Sequence, residues 1–338
     1  MFLPKYTMNG LEVEDHMAAN GSVHSRVLRV ILTGRLGDLQ SSLATTVSIS
    51  IAEVVSAGKR ISNDWIEMQS LSMAKRVVVV ANSLVFFGEK LSRCPKFLQA
   101  ALDYPEDLLF TAEILRLLPK SAAPMLAPVL MRQHQASKVL LSYLMPVVEE
   151  RLKQDPTVDS TSTAKPMDVI QFFIEADARK NAWPAHRIVQ VVLGIWFAAV
   201  HQPAMSLVYA LGDLCQHPEY VNALKKELGD GSADRKYLES MPLLDAFLKE
   251  SARLHPSDSI SCRRKVLRPY TLSDGTFLDI GDVACVPLQS IMRDPQIYSE
   301  ALIFNPYRFI NKKDMSKSER FTDANSKFPL WGLGKHAW

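Results

Sequence analysis

Apolar residues in the first three quarters of the chain recur at the spacing of helices. Residues 23–66 show the pattern of an amphipathic helix, and residues 73–87 are apolar over a length that predicts a buried helix. Prolines at positions 95, 105, 119, 124 and 128 predict that the next region is divided into short helices, with one more helix over residues 138–153. The polar residues 155–163 predict a loop.

The longest predicted helix covers residues 186–215 and has polar residues and a proline at its centre. His201, Gln202 and Pro203 directly follow an apolar run. Proline inside a helix removes a backbone hydrogen bond and clashes with the preceding turn, at a cost of about 3 kcal/mol or more. The sequence therefore predicts a kink, which either belongs to an ordinary core helix or lies beside a cavity.

After two shorter predicted helices, over residues 220–228 and 243–254, the pattern changes to that of short strands. Residues 267–280 and 283–288 alternate in polarity and are interrupted by turn-forming residues, which is typical of hairpins. The predicted fold class is mainly α with a small β-rich region.

The composition narrows the possible classes of protein. Of 338 residues, 47% are hydrophobic and 22% are charged, and 39 basic against 36 acidic side chains give a formal net charge of +3. These values exclude a disordered or collagen-like chain and a strongly basic nucleic-acid binder. The N-terminus lacks the pattern of a signal peptide, and no stretch reaches the roughly 18 consecutive apolar residues of a membrane span.

The cysteines are too far apart for a disulfide framework or a zinc knuckle, which favours a reducing, intracellular setting. They are Cys94, Cys215, Cys262 and Cys285.

Three motifs in the last third of the chain carry the functional argument. Glu250 and Arg253 share one face of a predicted helix, a pair that in isolation is most often a solvated ion pair. Downstream follow Pro306-Tyr-Arg308-Phe309 and the glycine-rich run that begins at Trp331. In this order the motifs resemble those of the cytochrome P450 haem-thiolate monooxygenases, particularly those of filamentous fungi. A helical interaction protein with coincidental motifs is the remaining alternative outside this family.

The resemblance implies the cytochrome P450 fold over a single partial domain, residues 1–338, with a mainly helical part (1–256) and a β-rich part with a haem-loop remnant (257–338). Measured against the family pattern, we expect the fold to be incomplete. The N-terminal anchor and the first sheet strands would be missing, as would everything from the haem cysteine onward.

The resemblance also implies roles for charged residues. Glu250, Arg253 and Arg308 would form a buried structural triad that holds the loop beneath the haem, because a buried acid and two guanidiniums persist only when they bond one another. Arg263 is expected to pair with a haem propionate, with Arg264 or a solvated basic cluster as alternatives. His336 stands where the family usually has a propionate-binding arginine, and Tyr307 replaces the usual acid of its motif.

The predicted haem-binding loop contains Trp331, Gly332, Gly334, Lys335 and His336. On the distal side, alignment of the long helix with the family places His201 at the acid position and Gln202 at the threonine position of the proton relay. The alternative is that both residues only fill a kinked core helix.

Trp338 occupies the position of the family's axial cysteine. An indole nitrogen is a hydrogen-bond donor and is no equivalent ligand, so we expect a truncated, inactive family member with no intact catalytic residues and no metal ligand. A gene-model error, a pseudogene or a retained intron would each explain Trp338. If the gene continues past a retained intron, the alternative is an active, NADPH- and O2-dependent monooxygenase.

The family further implies haem (heme) as cofactor, NADPH-cytochrome P450 reductase as partner and a small apolar metabolite as substrate. Trp338 argues against haem binding by this chain. We expect no nucleic-acid partner and no membrane anchor. Full-length relatives would lie at the endoplasmic reticulum membrane, whereas this anchorless chain would be cytoplasmic or unstable.

Overall fold

The computed structural model describes residues 7–8, 23–153, 165–177, 183–229, 241–311, 313 and 318–333. The chain divides into two compact units, Met1–Ala204 and Met205–Trp338. The first unit is helical with one short hairpin, and the second combines helices with short strands. A mainly α fold with small sheets is thus confirmed, while the single-domain boundaries stay a prediction. The predicted loop at 155–163 lies outside the described residues.

The elements of the first unit follow one another from Val23. They are α1 Val23–Arg26, a π-helical segment Val27–Leu32, α2 Thr33–Ala57, β1 Lys59–Arg60, β2 Ile66–Glu67, α3 Ser70–Phe87, α4 Glu89–Ser92, α5 Pro95–Leu117, a 3-10 turn Lys120–Ala122, α6 Ala123–Leu130, a 3-10 turn Arg132–His134, α7 Gln135–Lys153, α8 Val169–Asp177 and α9 Ala185–Ala199.

The next helix, α10, begins in the first unit, and the boundary between the units falls within it. The remaining elements are α10 His201–Gln216, α11 Glu219–Leu228, α12 Pro242–Leu254, β3 Ser261–Lys265, β4 Tyr270–Thr271, β5 Phe277–Leu278, β6 Val283–Val286, α13 Leu288–Met292 and the 3-10 turns Pro306–Phe309 and Pro329–Trp331. The strands pair antiparallel as β1–β2, β3–β6 and β4–β5.

Four aromatic rings form the centre of the first unit. Phe86 and Phe87 at the end of α3 pack on Trp196 of α9, with ring centroids 5.4 and 4.8 Å away, and Phe97 of α5 lies 5.0 Å from Phe87. All four side chains are buried. Aromatic side chains of this size bury a large apolar area, and this cluster therefore fixes how α3, α5 and α9 pack.

The prediction of a helix over residues 23–66 is wrong in its last part. The helix ends at Ala57, and Gly58 leads into the β1–β2 hairpin with an extended backbone. A Cβ atom on Gly58 would lie 2.3 Å from Ile66 Cγ2. The Ile66 side chain of the return strand therefore packs directly on the Gly58 backbone, and any larger residue at position 58 would force it to shift.

The prediction that Pro105 separates two short helices is also wrong, because α5 continues through it from Pro95 to Leu117. The proline leaves the carbonyl of Ala101, four residues earlier, without its helical donor. Trp196 Nε1 donates a hydrogen bond of 2.8 Å to that carbonyl. A side chain from another helix thus replaces the missing backbone bond.

The predicted kink in the long apolar helix is present as a break at Val200, between α9 and α10. Pro203 then lies in the first turn of α10, where a missing backbone N–H is least costly. The carbonyl that Pro203 deprives of a donor is that of Ala199, and Asn82 Nδ2 donates to it.

Two helical segments, Ser70–Phe87 and Ala185–Gln216, have the length and mean hydropathy of a membrane span. The prediction concerned runs of about 18 consecutive apolar residues, and neither segment is such a run because both contain polar residues. Helices of the core of a water-soluble protein have the same properties. Both segments contribute side chains to the buried core, among them Phe87 and Trp196.

Candidate functional site

Glu250 and Arg253 form a bidentate ion pair on α12, one turn apart. Arg253 Nε donates to Glu250 Oε2 at 2.7 Å, and Arg253 Nη2 donates to Oε1 at 2.9 Å. Both side chains are fully buried. The two parallel bonds satisfy the fork geometry in which guanidinium and carboxylate interact best, so the pair is not the solvated ion pair that its spacing alone would favour.

The remaining outer nitrogen of Arg253 bonds two further segments of the chain to α12. Nη1 donates to the backbone carbonyls of Met292, at the end of α13, and of Ala301, the latter at 2.7 Å. Every outer nitrogen of this buried guanidinium therefore has an acceptor, which is the condition under which a buried charge is tolerated.

Arg308 is the third charge of the cluster and comes from the 3-10 turn Pro306–Phe309. Its Nε donates to Glu250 Oε1 at 3.1 Å, and its side chain is 12% exposed. Its other nitrogens donate to the carbonyls of Ser299 at 2.8 Å and Ile303 at 3.1 Å. The same Glu250 oxygen accepts the backbone N–H of Asn305 at 2.9 Å. One carboxylate thus holds a helix and the segment before Arg308 together.

Tyr298 covers this cluster and was not singled out by the sequence. Its ring centroid lies 4.8 Å from Arg253 Cζ and 6.0 Å from Arg308 Cζ, within the range of cation–π attraction. Its hydroxyl donates to the carbonyl of Lys327 at 2.8 Å. Burial raises the pKa of Tyr298 to about 12. Because these contacts depend on the folded chain, no local spacing signals them.

The cluster of Glu250, Arg253 and Arg308 has the chemistry of an anchor. Its groups are saturated by one another and by backbone carbonyls, and none projects toward solvent or a ligand as a free acid or base. What it can do is hold the segments 292–308 against α12.

Trp331 begins the predicted haem-binding loop, and its side chain is hydrogen-bonded to the backbone ten residues earlier. Its Nε1 donates to the carbonyl of Phe321 at 2.7 Å. Gly332 follows with φ of 78°, a left-handed conformation that favours glycine, and its N–H donates to the carbonyl of Pro329. The remaining predicted residues of this loop, Gly334, Lys335, His336 and Trp338, lie outside the described residues.

Arg263 lies in an irregular part of β3, where Cys262 has φ of 50° and the pairing with β6 shifts register. Its Nη2 is 3.9 Å from Asp258 Oδ1, and both side chains are well exposed. Arg264 donates to the backbone carbonyl of Arg263. Within the described part of the chain, neither arginine is brought to the Glu250 cluster, and their role toward a propionate stays a prediction.

His201 and Gln202 belong to the first turn of α10. His201 Nε2 is buried and has no hydrogen-bond partner among the described residues, whereas Gln202 is exposed. Burial lowers the pKa of His201, and the charge of Lys75 lowers it further while Glu106 opposes the shift. Lys75 and Glu106 are themselves paired at 2.7 Å. The neutral imidazole is therefore the stable form at neutral pH, and its relay role stays a prediction.

The positions of the four cysteines bear on the prediction of a thiolate-ligated haem. The four cysteines lie at the start of α5, the end of α10, in β3 and in β6, and none belongs to the loop that begins at Trp331. Among the described residues, no group of three or more His, Cys, Asp or Glu side chains could hold a metal ion. The prediction that Trp338 stands at the position of the axial cysteine concerns a residue outside the described part of the chain, and it stays a prediction.

Comparison with known proteins agrees with the motifs. The family model described as Cytochrome P450 matches residues 9–323. Cytochrome P450 monooxygenase olcJ of Penicillium canescens is 31% identical, covering 94% of this chain and 61% of its own length. Cytochrome P450 monooxygenase 151 of Postia placenta is 28% identical, with 93% and 64% covered, and penP of Penicillium crustosum is 28% identical, with 99% and 67% covered. The chain thus spans about two thirds or less of the length of these relatives.

Solved structures show the same fold. The retinoic acid-bound cyanobacterial CYP120A1 superposes with a TM-score of 0.72 at 19% identity, covering 99% of this chain and 71% of that protein. A zebra fish cytochrome P450 solved with abiraterone superposes with a TM-score of 0.65 at 18% identity, covering 100% and 73%. Since the family model matches nearly the whole chain and the fold agrees, the chain belongs to the cytochrome P450 family.

Proposed function

We propose that this chain is a cytochrome P450 of fungal secondary metabolism that has kept the support of its haem loop and lost its haem ligand. The observation that carries the proposal is the identity of residue 338, a tryptophan, which the alignment of the motifs would place at the position of the axial cysteine. A cysteine thiolate donates electron density that favours cleavage of the O–O bond, whereas an indole N–H is a donor only. Monooxygenase turnover therefore fails in a chain with Trp338.

The general setting of the proposal comes from the relatives, several of which are named as monooxygenases of Penicillium species. In an active member, haem supplies the activation of O2. Electrons would come from NADPH through NADPH-cytochrome P450 reductase, and the substrate would be a small apolar metabolite. We extend these partners, and a location at the endoplasmic reticulum membrane, only to a version of the protein that carries the cysteine.

Such an active monooxygenase is the second candidate. It is favoured by the complete Glu250 cluster, in which Arg253 and Arg308 keep all their partners. A buried charge cluster of this kind is destabilising as soon as one member is lost. Its retention keeps the segments 292–308 on α12, which the family resemblance links to a functional haem loop, as the retained-intron hypothesis would require.

The absorption spectrum of the reduced, CO-treated protein tests the proposal. We would express the chain with added haem precursor and compare it with Trp338→Cys, which supplies a thiolate, and Trp338→Ser, which removes the indole without supplying one. The expected result is a thiolate-type Soret band in Trp338→Cys alone. Haem content, measured separately as the pyridine haemochrome, distinguishes loss of haem from loss of the thiolate.

The two variants and the unchanged chain together separate the possible causes. A thiolate-type band in the chain with Trp338 would refute the proposal, because some other cysteine would then bind the iron. A band in neither Trp338→Cys nor the unchanged chain, with no haem bound, would show that more than the ligand has been lost. Haem bound equally in all three without a thiolate band would assign retention to residues outside position 338.

A further inference from the structure

Lys249 is a fully buried lysine in the second unit, next to Glu250 but on a different face of α12. Its Nζ lies 3.0 Å from Glu319 Oε2 and donates to the carbonyl of Arg320 at 3.0 Å. The exposed fraction of its side chain is 0%, whereas that of Glu319 is 51%. A lysine is almost never buried to this extent without a specific partner for its charge.

Two phenyl rings surround the same ammonium group. The Nζ atom lies 4.7 Å from the ring centroid of Phe309 and 4.9 Å from that of Phe328. Both distances are within the range in which a ring face attracts a cation, and the attraction is larger where water is excluded. Phe309 ends the turn that carries Arg308, and Phe328 directly precedes the turn Pro329–Trp331.

Asp245 lies one helical turn before Lys249 and bonds Phe321, the residue that follows Arg320. Its Oδ2 accepts the backbone N–H of Phe321 at 2.7 Å. Positions i and i+4 of a helix lie on one face, so Asp245 and Lys249 contact the consecutive residues 319–321 side by side. The Phe321 carbonyl in turn accepts Trp331 Nε1, and the Phe321 and Trp331 ring centroids are 5.2 Å apart.

We propose that Asp245 and Lys249 form a polar latch that positions the loop around Trp331 on α12. The latch acts through two routes, one from Asp245 through the Phe321 backbone to Trp331 and one from Lys249 directly to the ring of Phe328. It is separate from the Glu250 cluster, which holds the segments 292–308. Asp245 and Lys249 are positioning residues, since neither touches a reacting group.

The positive charge of Lys249 is what binds Glu319 and the Arg320 carbonyl to α12. A methionine in place of Lys249 would fill the same space between the two rings but would release Glu319 and the Arg320 carbonyl to water. Glu319 is half exposed and is readily solvated once released. We therefore expect the helix to remain intact and the segment 318–333 to lose its fixed position. This inference concerns contacts within the second unit and holds whether or not the chain binds haem.

Hydrogen–deuterium exchange of the full chain, read by mass spectrometry, tests the latch. Lys249→Met is compared with the unchanged chain and with Lys226→Met, which removes an exposed lysine from α11 of the same unit. The expected result is about tenfold faster exchange of amides in residues 318–333 in Lys249→Met only, because local opening of a held segment exposes its amides. Exchange in α12 is expected to stay unchanged.

A second variant keeps the test decisive if Lys249→Met folds poorly. Asp245→Ala removes the acceptor of the Phe321 N–H and leaves the Lys249–Glu319 ion pair in place, and it should speed exchange in the same residues. Fluorine NMR of 5-fluorotryptophan protein supplies a signature that general destabilisation does not: the Trp331 signal, assigned with Trp331→Phe, should shift in both variants. Unchanged exchange and an unchanged Trp331 signal would overturn the latch. So would faster exchange spread equally over 242–254 and 318–333.

Discussion

Trp196 Nε1 donates a hydrogen bond of 2.8 Å to the carbonyl of Ala101, the acceptor that Pro105 leaves without a helical donor. A second case lies nearby, where Asn82 Nδ2 donates to the carbonyl of Ala199, four residues before Pro203. In both cases a proline in a helix frees a carbonyl, and a side chain from another helix satisfies it. The prolines thereby define attachment points between α9 and the helices α3 and α5.

Trp196→Phe tests the first of these bonds. The substitution keeps an aromatic ring in the core but leaves the Ala101 carbonyl buried and unpaired, which we expect to lower the free energy of unfolding by about 1–3 kcal/mol. Urea unfolding followed by circular dichroism measures it. In a Pro105→Ala background, residue 105 regains an N–H for that carbonyl, and the cost of Trp196→Phe should be smaller. An equal cost in both backgrounds would contradict the assigned role, and Trp65→Phe at an exposed site is the control.

Asn82→Leu tests the second bond. Leucine has a similar shape but no donor, so the Ala199 carbonyl loses its partner at a cost of about 1–3 kcal/mol where it is fully buried and less where water reaches it. The same urea titration measures the change, and Pro203→Ala provides the background in which it should shrink. If Asn82→Leu left the free energy of unfolding unchanged in the chain with Pro203, the Asn82 amide would not be needed as a donor to the Ala199 carbonyl.

These two bonds also show where local patterns stop being informative. Proline spacing predicts a break at Pro105, yet α5 continues, because the compensating donor is Trp196, which lies 95 positions after Ala101 in the sequence. At Pro203 the same pattern predicts a kink and one is present. The two prolines differ in the helices packed around them, and the position of a proline in the sequence does not reveal those neighbours.

For the candidate site, the sequence is informative about identity and less so about partners. Glu250 and Arg253 are one turn apart and Arg308 belongs to a recognisable motif, so these three residues could be named beforehand. The carbonyls of Met292, Ala301 and Ser299 could not, because any residue type offers a carbonyl. Tyr298 likewise has no spacing that links it to α12.

Arg253→Lys tests whether the fork geometry of the Glu250 cluster matters. Lysine keeps the positive charge but is unable to form the bidentate pair and reach both loop carbonyls, so we expect a loss of about 3–5 kcal/mol in the free energy of unfolding. Glu250→Gln should cost a similar amount, because two guanidiniums then lose their counter-charge. Denaturant unfolding of the full chain measures both.

The double variant Glu250→Gln with Arg253→Met separates charge pairing from packing. Because it removes the Glu250–Arg253 pair together and leaves only Arg308 without its carboxylate, its cost should be less than the summed costs of Glu250→Gln and Arg253→Met measured singly. Arg263→Lys is the matched control at an exposed and long ion pair, and it should change stability by about 0.5 kcal/mol or less. Additive costs in the double variant would show that Glu250 and Arg253 act independently.

The raised pKa of Tyr298 predicts that the free energy of unfolding decreases at high pH. Its pKa is raised from an ordinary value of 10.0 to about 12 by burial, so the folded protein keeps the phenol neutral where the unfolded chain ionises it. The unfolded state releases its proton first. The contribution of Tyr298 is therefore complete below pH 10 and is lost as the pH rises toward 12. A shift of two pKa units corresponds to about 3 kcal/mol at most.

Tyr298→Phe isolates this effect from the titration of other groups. Phenylalanine loses the hydrogen bond to the Lys327 carbonyl but has no proton to release, so the variant should be less stable than the unchanged chain at pH 8. Between pH 10 and 12 its stability should fall less steeply than that of the unchanged chain, and the difference between the two should narrow. Urea unfolding in steps of half a pH unit measures both slopes. Parallel slopes would mean that the folded and unfolded chains ionise Tyr298 alike, and the ring over Arg253 would then be accessible to water.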